Sequence, residues 1–480
     1  MSFTSLSFVA LFIVTYALYK ILARNHKAQN RVLLLASYVF YGWWDWRFLA
    51  LLAMQTAVDF YAAQAMSRAV DERHRKRWLW VSLGFNLAML CFFKYFNFFA
   101  DSATYLLNLM GFQSDPLLLR VVLPAGISFY TFQTMSYTIE VYKGEMEATD
   151  DLWDFAAFVA FFPHLVAGPI MRANVLLPQI QEPRSATPEQ IDAGVFLILW
   201  GYFKKCVVAD NVATIANAVF NQPTQHAGAD LLLGALAFTV QIYADFSAYS
   251  DIARGISKLM GFELVINFRL PYFARTPSDF WQRWHISLST WLRDYLYIPL
   301  GGNRGTTAAT LRNLMVTMLL GGLWHGASWH FVAWGGYHGL LLILYRPFER
   351  FGSSPELDGG PRSGGRRAWA AVVGALQVAV MFGFTVVGWI LFRAQSVQEA
   401  WYILAHLSLE RSASTMSWAF TLAKVSWPLV LMQFYQGATA DLLRAAKWNP
   451  WWRGLFYAFL ITWMLIYTPR AVSEFIYFQF

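Results

Sequence analysis

The chain has 480 residues, 57% of them hydrophobic, 18% aromatic and only 14% charged, with a formal net charge of +8. A soluble domain carries about 25% charged residues, so a water-solvated globule is excluded, and the long apolar runs exclude a membrane β-barrel of short alternating strands. The basic excess does not imply a nucleic-acid partner, because these residues sit in short loops between apolar stretches, as in helical membrane proteins.

A membrane crossing needs about 20 apolar residues to span ~30 Å of hydrocarbon. Such stretches begin near residues 3, 32, 49, 78, 118, 192, 230, 312, 368, 417 and 453, whereas 152–170 is apolar but short. The expected fold is an all-α polytopic membrane protein with about 10–12 transmembrane helices. The first segment, "SFTSLSFVALFIVTYALY", lacks a basic start and a small-residue cleavage site, so it reads as a retained span. Cys91 and Cys206 have apolar neighbours and are expected to be buried small side chains.

Basic residues cluster in three loops: Lys20 to Arg31, Arg68 to Arg77, and Arg346 to Arg367. All three are expected on the cytoplasmic side. The third contains "GSSPELDGGPRSGG", a composition that makes a flexible linker. The expected division is a core at 1–345, a cytoplasmic linker at 346–367 and C-terminal transmembrane helices at 368–480.

The stretch from Phe268 to Arg304 is not a span, since it mixes arginines with Trp281, Trp284, Trp291 and several tyrosines. Pro277, Ser278 and Asp279 offer a helix start. Phe280, Trp281, Trp284, Leu288, Trp291 and Leu292 then recur at helical spacing, which predicts one amphipathic helix at an interface or in a cavity, carrying His285.

Ionisable groups inside a membrane are costly and are functional candidates by default. Here they are Asp59, Lys94, Glu140, His164, Asp245, Asp251, His285, His325, His330 and His338. Histidine stands out because it exchanges a proton near neutral pH. His325 sits in "GGLWHGASWH", where glycines let a neighbouring backbone or a thin ligand approach closely. His325 and His330 do not share a helical face, and no zinc, calcium, nucleotide-loop or serine-hydrolase signature occurs, so no metal site is expected. Read by itself, each of these histidines is also compatible with a hydrogen-bonded packing role.

"FWQRWHISLSTWLRDYLYIPLGGNR", followed by "LLGGLWHGASWHFVAWGGYHG", resembles the two-motif core of the membrane-bound O-acyltransferase (MBOAT) superfamily. "ASYVFYGWWDW", "LPAGISFYTFQTMSYTIEVYKG", "FVAFFPHLVAGPIMR" and "YADFSAYSDIARG" extend the likeness over about residues 30–345, toward the bacterial branch that serves alginate O-acetylation. The resemblance implies re-entrant and interfacial helices around a central tunnel. It places a catalytic base at His325 and an assisting polar residue at His285. Trp284, Trp324, Asp245, Ser250, Asp251 and His330 become candidates for lining the tunnel or binding substrate; the alternative for Asp245 and Asp251 is pairing with Arg254.

The implied activity is movement of an acetyl group from a cytoplasmic thioester, acetyl-CoA, across a bacterial inner membrane for O-acetylation of a secreted polysaccharide such as alginate. Transfer is direct or through a periplasmic acetyltransferase partner, with no bound cofactor. The alternatives are D-alanyl or other acyl transfer to a cell-envelope polymer, or a non-enzymatic transporter or scaffold for the acetylation machinery.

Overall fold

The computed structural model describes residues 1–112, 120–348, 364–469 and 475–476. Among them every regular element is helical and no strand occurs. Three helices among the described residues are long and apolar enough to cross a membrane by themselves: Glu72–Leu109, Gly228–Leu259 and Trp369–Arg393. The expected linker falls largely on residues 349–363, outside those described.

Helix starts follow the polar residues that precede apolar runs. Ser5, Asn25, Asp71, Asp151, Thr306 and Ser396 each accept a backbone N–H of the first turn through the side chain. Such a cap satisfies a donor that has no partner inside its own helix.

The helices gather into two compact units. The first holds residues 1–202 and 248–265; the second holds 203–247 and most of the chain from 266 onward. In the first unit, helices Phe48–Arg68, Glu72–Leu90 and Ile127–Lys143 enclose a buried polar ladder. Ser82 Oγ donates to Asp59 at 2.6 Å and Asn86 Nδ2 to the same carboxylate at 2.8 Å. Gln55 and Thr134 both donate to the Asn86 carbonyl. Asp59 is fully buried, so these donors replace the water it has lost. Lys27, one of the basic residues read from the first loop, pairs with Asp151 and buried Asp154.

In the second unit, helices Thr307–His325 and Trp329–Tyr345 form an antiparallel hairpin. A Cβ on Gly322 would meet the Phe331 carbonyl oxygen at 2.2 Å, and one on Gly335 would meet that of Met318 at 2.3 Å. The two backbones therefore touch through these glycines, the close approach that small residues permit between membrane helices. Helix Gly364–Arg393 packs antiparallel on the hairpin's second arm, with Trp389 near Trp334 and Phe392 near Phe331.

Two local expectations are corrected. Neither cysteine is fully buried: Cys91, at the start of the π-turn Cys91–Tyr95, is exposed and Cys206 is half-buried. The single amphipathic helix expected after Phe280 is two short helices, Pro277–Arg283 and Ile286–Leu292, interrupted at His285.

Candidate acyl-transfer site

The break at His285 is the main local feature of the site. Thr276, rather than Ser278 or Asp279, caps the first short helix by accepting the Asp279 N–H at 3.0 Å. The Asp279 carboxylate in turn accepts the Arg275 N–H at 3.0 Å, and Pro277 sits in the first turn, where its missing donor costs nothing. That helix ends at Trp284, which is extended, and His285 then adopts φ 44°, ψ 52°. This is the left-handed region, uncommon for a residue with a Cβ and concentrated at functional positions.

Asn267 holds the turn in place. Its carbonyl accepts the Ile286 N–H at 3.0 Å, and its side-chain oxygen accepts the Ser287 N–H at 3.2 Å and the Ser287 hydroxyl at 2.6 Å. One buried side chain therefore fixes the start of helix Ile286–Leu292 and aims the His285 ring inward.

His325 arrives from the other direction, as the last residue of helix Thr307–His325, which stops because Gly326 is extended. The rings of His285 and His325 lie 6.2 Å apart between centroids at 63°. Both are buried, at 0% and 7% exposure. Phe246 closes on His285 at 4.7 Å, while Trp324, Trp334 and Phe392 surround His325 at 5.0, 5.1 and 5.3 Å. This aromatic wall leaves His285 no exposed surface and His325 little.

His325 also lines a cavity of about 370 Å³. Its other walls include Trp281, Ser289, Thr317, Gly321 and Trp334, with Arg293 and Tyr297 also lining it. His285, Trp284 and Trp324 are not among its lining residues.

The other candidates fall in different settings. Trp284 is buried in a stack with Phe280 and Tyr272, against Trp389. Trp324 bridges the two imidazoles, at 5.8 Å from His285 and 5.0 Å from His325. Asp245 pairs with Lys205 at 3.0 Å, and Lys205 reaches Asp210 at 2.9 Å, all three side chains being buried. Asp251 rather than Asp245 reaches Arg254, at 3.5 Å, and Ser250 is buried beside it in sequence; both belong to the first unit. His330 stands at the start of the next helix, with Nδ1 3.4 Å from the Leu391 carbonyl. His338 packs between Phe280, Trp281 and Trp334, and His164 lies 3.4 Å from Gln133.

Two participants escaped the sequence reading. Asn267 lies in a stretch without periodicity. Lys205 did carry a signal, being a lysine in the apolar run "LILWGYFKKCVVA".

The sequence model of the membrane-bound O-acyltransferase family matches residues 147–357, a span that contains both histidines. The "Probable alginate O-acetylase AlgI" of Pseudomonas aeruginosa is 43% identical over 403 residues, covering 84% of this chain and 74% of its own. A "Peptidoglycan O-acetyltransferase" from Helicobacter pylori is 32% identical over 415 residues, covering 81% and 75%. A "Teichoic acid D-alanyltransferase" from Streptococcus thermophilus is 30% identical over 242 residues, covering 46% and 56%. With apolar helices able to cross a bilayer and likeness over most of its length, the chain is a membrane protein and an enzyme of acyl transfer: it belongs to the membrane-bound O-acyltransferase family.

Proposed function

We propose that this enzyme moves an acetyl group from acetyl-CoA, on the cytoplasmic side of a bacterial inner membrane, to hydroxyls of a secreted polysaccharide such as alginate. Transfer to the polymer is direct or through a periplasmic acetyltransferase. The observation that carries the reading is the pair of buried imidazoles 6.2 Å apart, one of which borders a cavity of about 370 Å³. The relatives matched over more than four-fifths of the chain are named for O-acetyl transfer, whereas D-alanyl relatives match 46% and 56% of it.

In this mechanism His325 accepts the proton of the acceptor hydroxyl as its oxygen attacks the thioester carbonyl. His285, fixed by its turn, donates to the tetrahedral oxyanion or orients the acyl group. The C–S bond then breaks, and His325 returns the proton to the departing sulfur, which leaves as the free thiol. Exclusion of water by the aromatic wall limits hydrolysis of the thioester. The cavity at His325 forms part of a tunnel that donor and acceptor enter from opposite faces, in a bundle of about 10–12 crossings.

The test is reconstitution of the full chain in proteoliposomes, with labelled acetyl-CoA on one side and polysaccharide, with or without a periplasmic partner fraction, on the other. Alkali-labile label on the polymer is the expected result. Label that stays in acetyl-CoA or is released only as acetate contradicts the proposal.

A further inference from the structure

Arg393 ends helix Gly364–Arg393, at the end of the second unit where helix Thr307–His325 stops and helix Trp329–Tyr345 starts. The antiparallel packing of these three helices brings His325, His330 and Arg393 to one end. Phe392, next to Arg393, is one of the three rings around His325, and the His330 Nδ1 lies near the carbonyl of Leu391.

The guanidinium is half-buried but forms no ion pair among the described residues. Its Nη2 donates to the Asn217 side-chain oxygen at 2.9 Å and to that of Asn221 at 3.5 Å, and its plane lies over Phe220 at 5.5 Å. Glu399, a nearby carboxylate, instead accepts the Gln395 N–H at 2.9 Å at the start of its own helix. Asn217 and Phe220 therefore fix the fork on one side with neutral partners, while Glu399 attracts its charge without pairing with it. A fixed guanidinium fork is the group best suited to a carboxylate, which it grips through two parallel hydrogen bonds.

We propose that Arg393, held by Asn217 and Phe220 beside His330, is a carboxylate-binding site for an acidic sugar residue of the acceptor, seating the polymer so that a neighbouring hydroxyl reaches His325. The inference rests on the polysaccharide reading above. It adds that the acceptor is recognised through its charge, at a position the acetyl donor does not use. Arg393 thus acts as an acceptor-binding residue and takes no part in proton transfer. Asn217 is a positioning residue that acts through it.

Direct binding tests this independently of turnover. Uronate oligosaccharide is titrated onto the full chain in nanodiscs, in parallel with the same oligosaccharide after its carboxyls are reduced to alcohols. The native protein is expected to prefer the uronate form, and added salt to weaken that preference. Arg393→Gln should reduce the preference at least about tenfold, as loss of one partner of a desolvated charge pair does. Arg393→Lys, which keeps the charge but loses the fork, should fall between the two. Equal binding of the two oligosaccharides by the native protein, or an unchanged preference in Arg393→Gln, overturns the site. Proportionate loss of both ligands also overturns it, by showing a structural role. If the native protein binds uronate through Arg393 yet transfers no acetyl to any polymer, the site stands and the acetyl-transfer reading fails.

Discussion

His285 and His325 meet ring to ring, 6.2 Å between centroids, although one sits in a left-handed turn between two short helices and the other ends a long helix. Each approaches by a different backbone device, so the two can be perturbed separately.

The turn at His285 sets the first expectation. Asparagine tolerates the left-handed region, whereas a β-branched residue there is strained. His285→Asn should fold normally and keep part of the transfer rate. His285→Val should lose about 1–3 kcal/mol of stability in addition to activity. Thermal unfolding in detergent, run beside an acetyl-transfer assay, separates the two effects.

Asn267 touches no reacting group, yet it holds the residues that follow His285 with three hydrogen bonds. Asn267→Ala should lower kcat on the order of 10- to 100-fold through misplacement of the imidazole, with little change in the KM for donor. Steady-state kinetics over a donor series checks this, and a change confined to KM argues against it.

The buried lysine between Asp210 and Asp245 is expected to be structural. Lys205→Met leaves two carboxylates without their shared cation and should cost about 3–5 kcal/mol. Adding Asp245→Asn should recover part of that loss, and a double-mutant cycle on unfolding measures the coupling. If Lys205→Met unfolds like the native protein, the pair contributes nothing to stability.

At the hairpin crossing, Gly335→Leu forces a side chain into the Met318 carbonyl and should cost about 1–3 kcal/mol or more. Gly383, where an added Cβ would meet nothing within 4 Å, is the control: Gly383→Ala should leave the melting temperature near the native value.

Much of this was legible in the sequence, and what was not has physical reasons. The helical class followed from charge depletion and long apolar runs, and the glycines at 321, 322 and 326 pointed to a close approach by a backbone or a thin ligand without saying which. The pairing of His285 with His325 was implied only by resemblance, because no local pattern measures the distance between residues on separate helices. The break at His285 was invisible: no glycine or proline marks it, and the aromatic spacing runs on through it. Tertiary bonds to Asn267 override that local pattern. The partner of Asp245 was also hidden, since Arg254 was nearer in sequence than Lys205, while the fold brings Lys205 to it.

The most direct measurement of the central claim is the single-turnover rate of acetyl transfer by His325→Gln, a substitution that keeps bulk and hydrogen bonding but cannot take up the proton. The account predicts a fall on the order of 10²- to 10⁴-fold with an unchanged melting temperature. A His325→Gln enzyme that transfers acetyl within about tenfold of the native rate, less than a general base contributes, would contradict it.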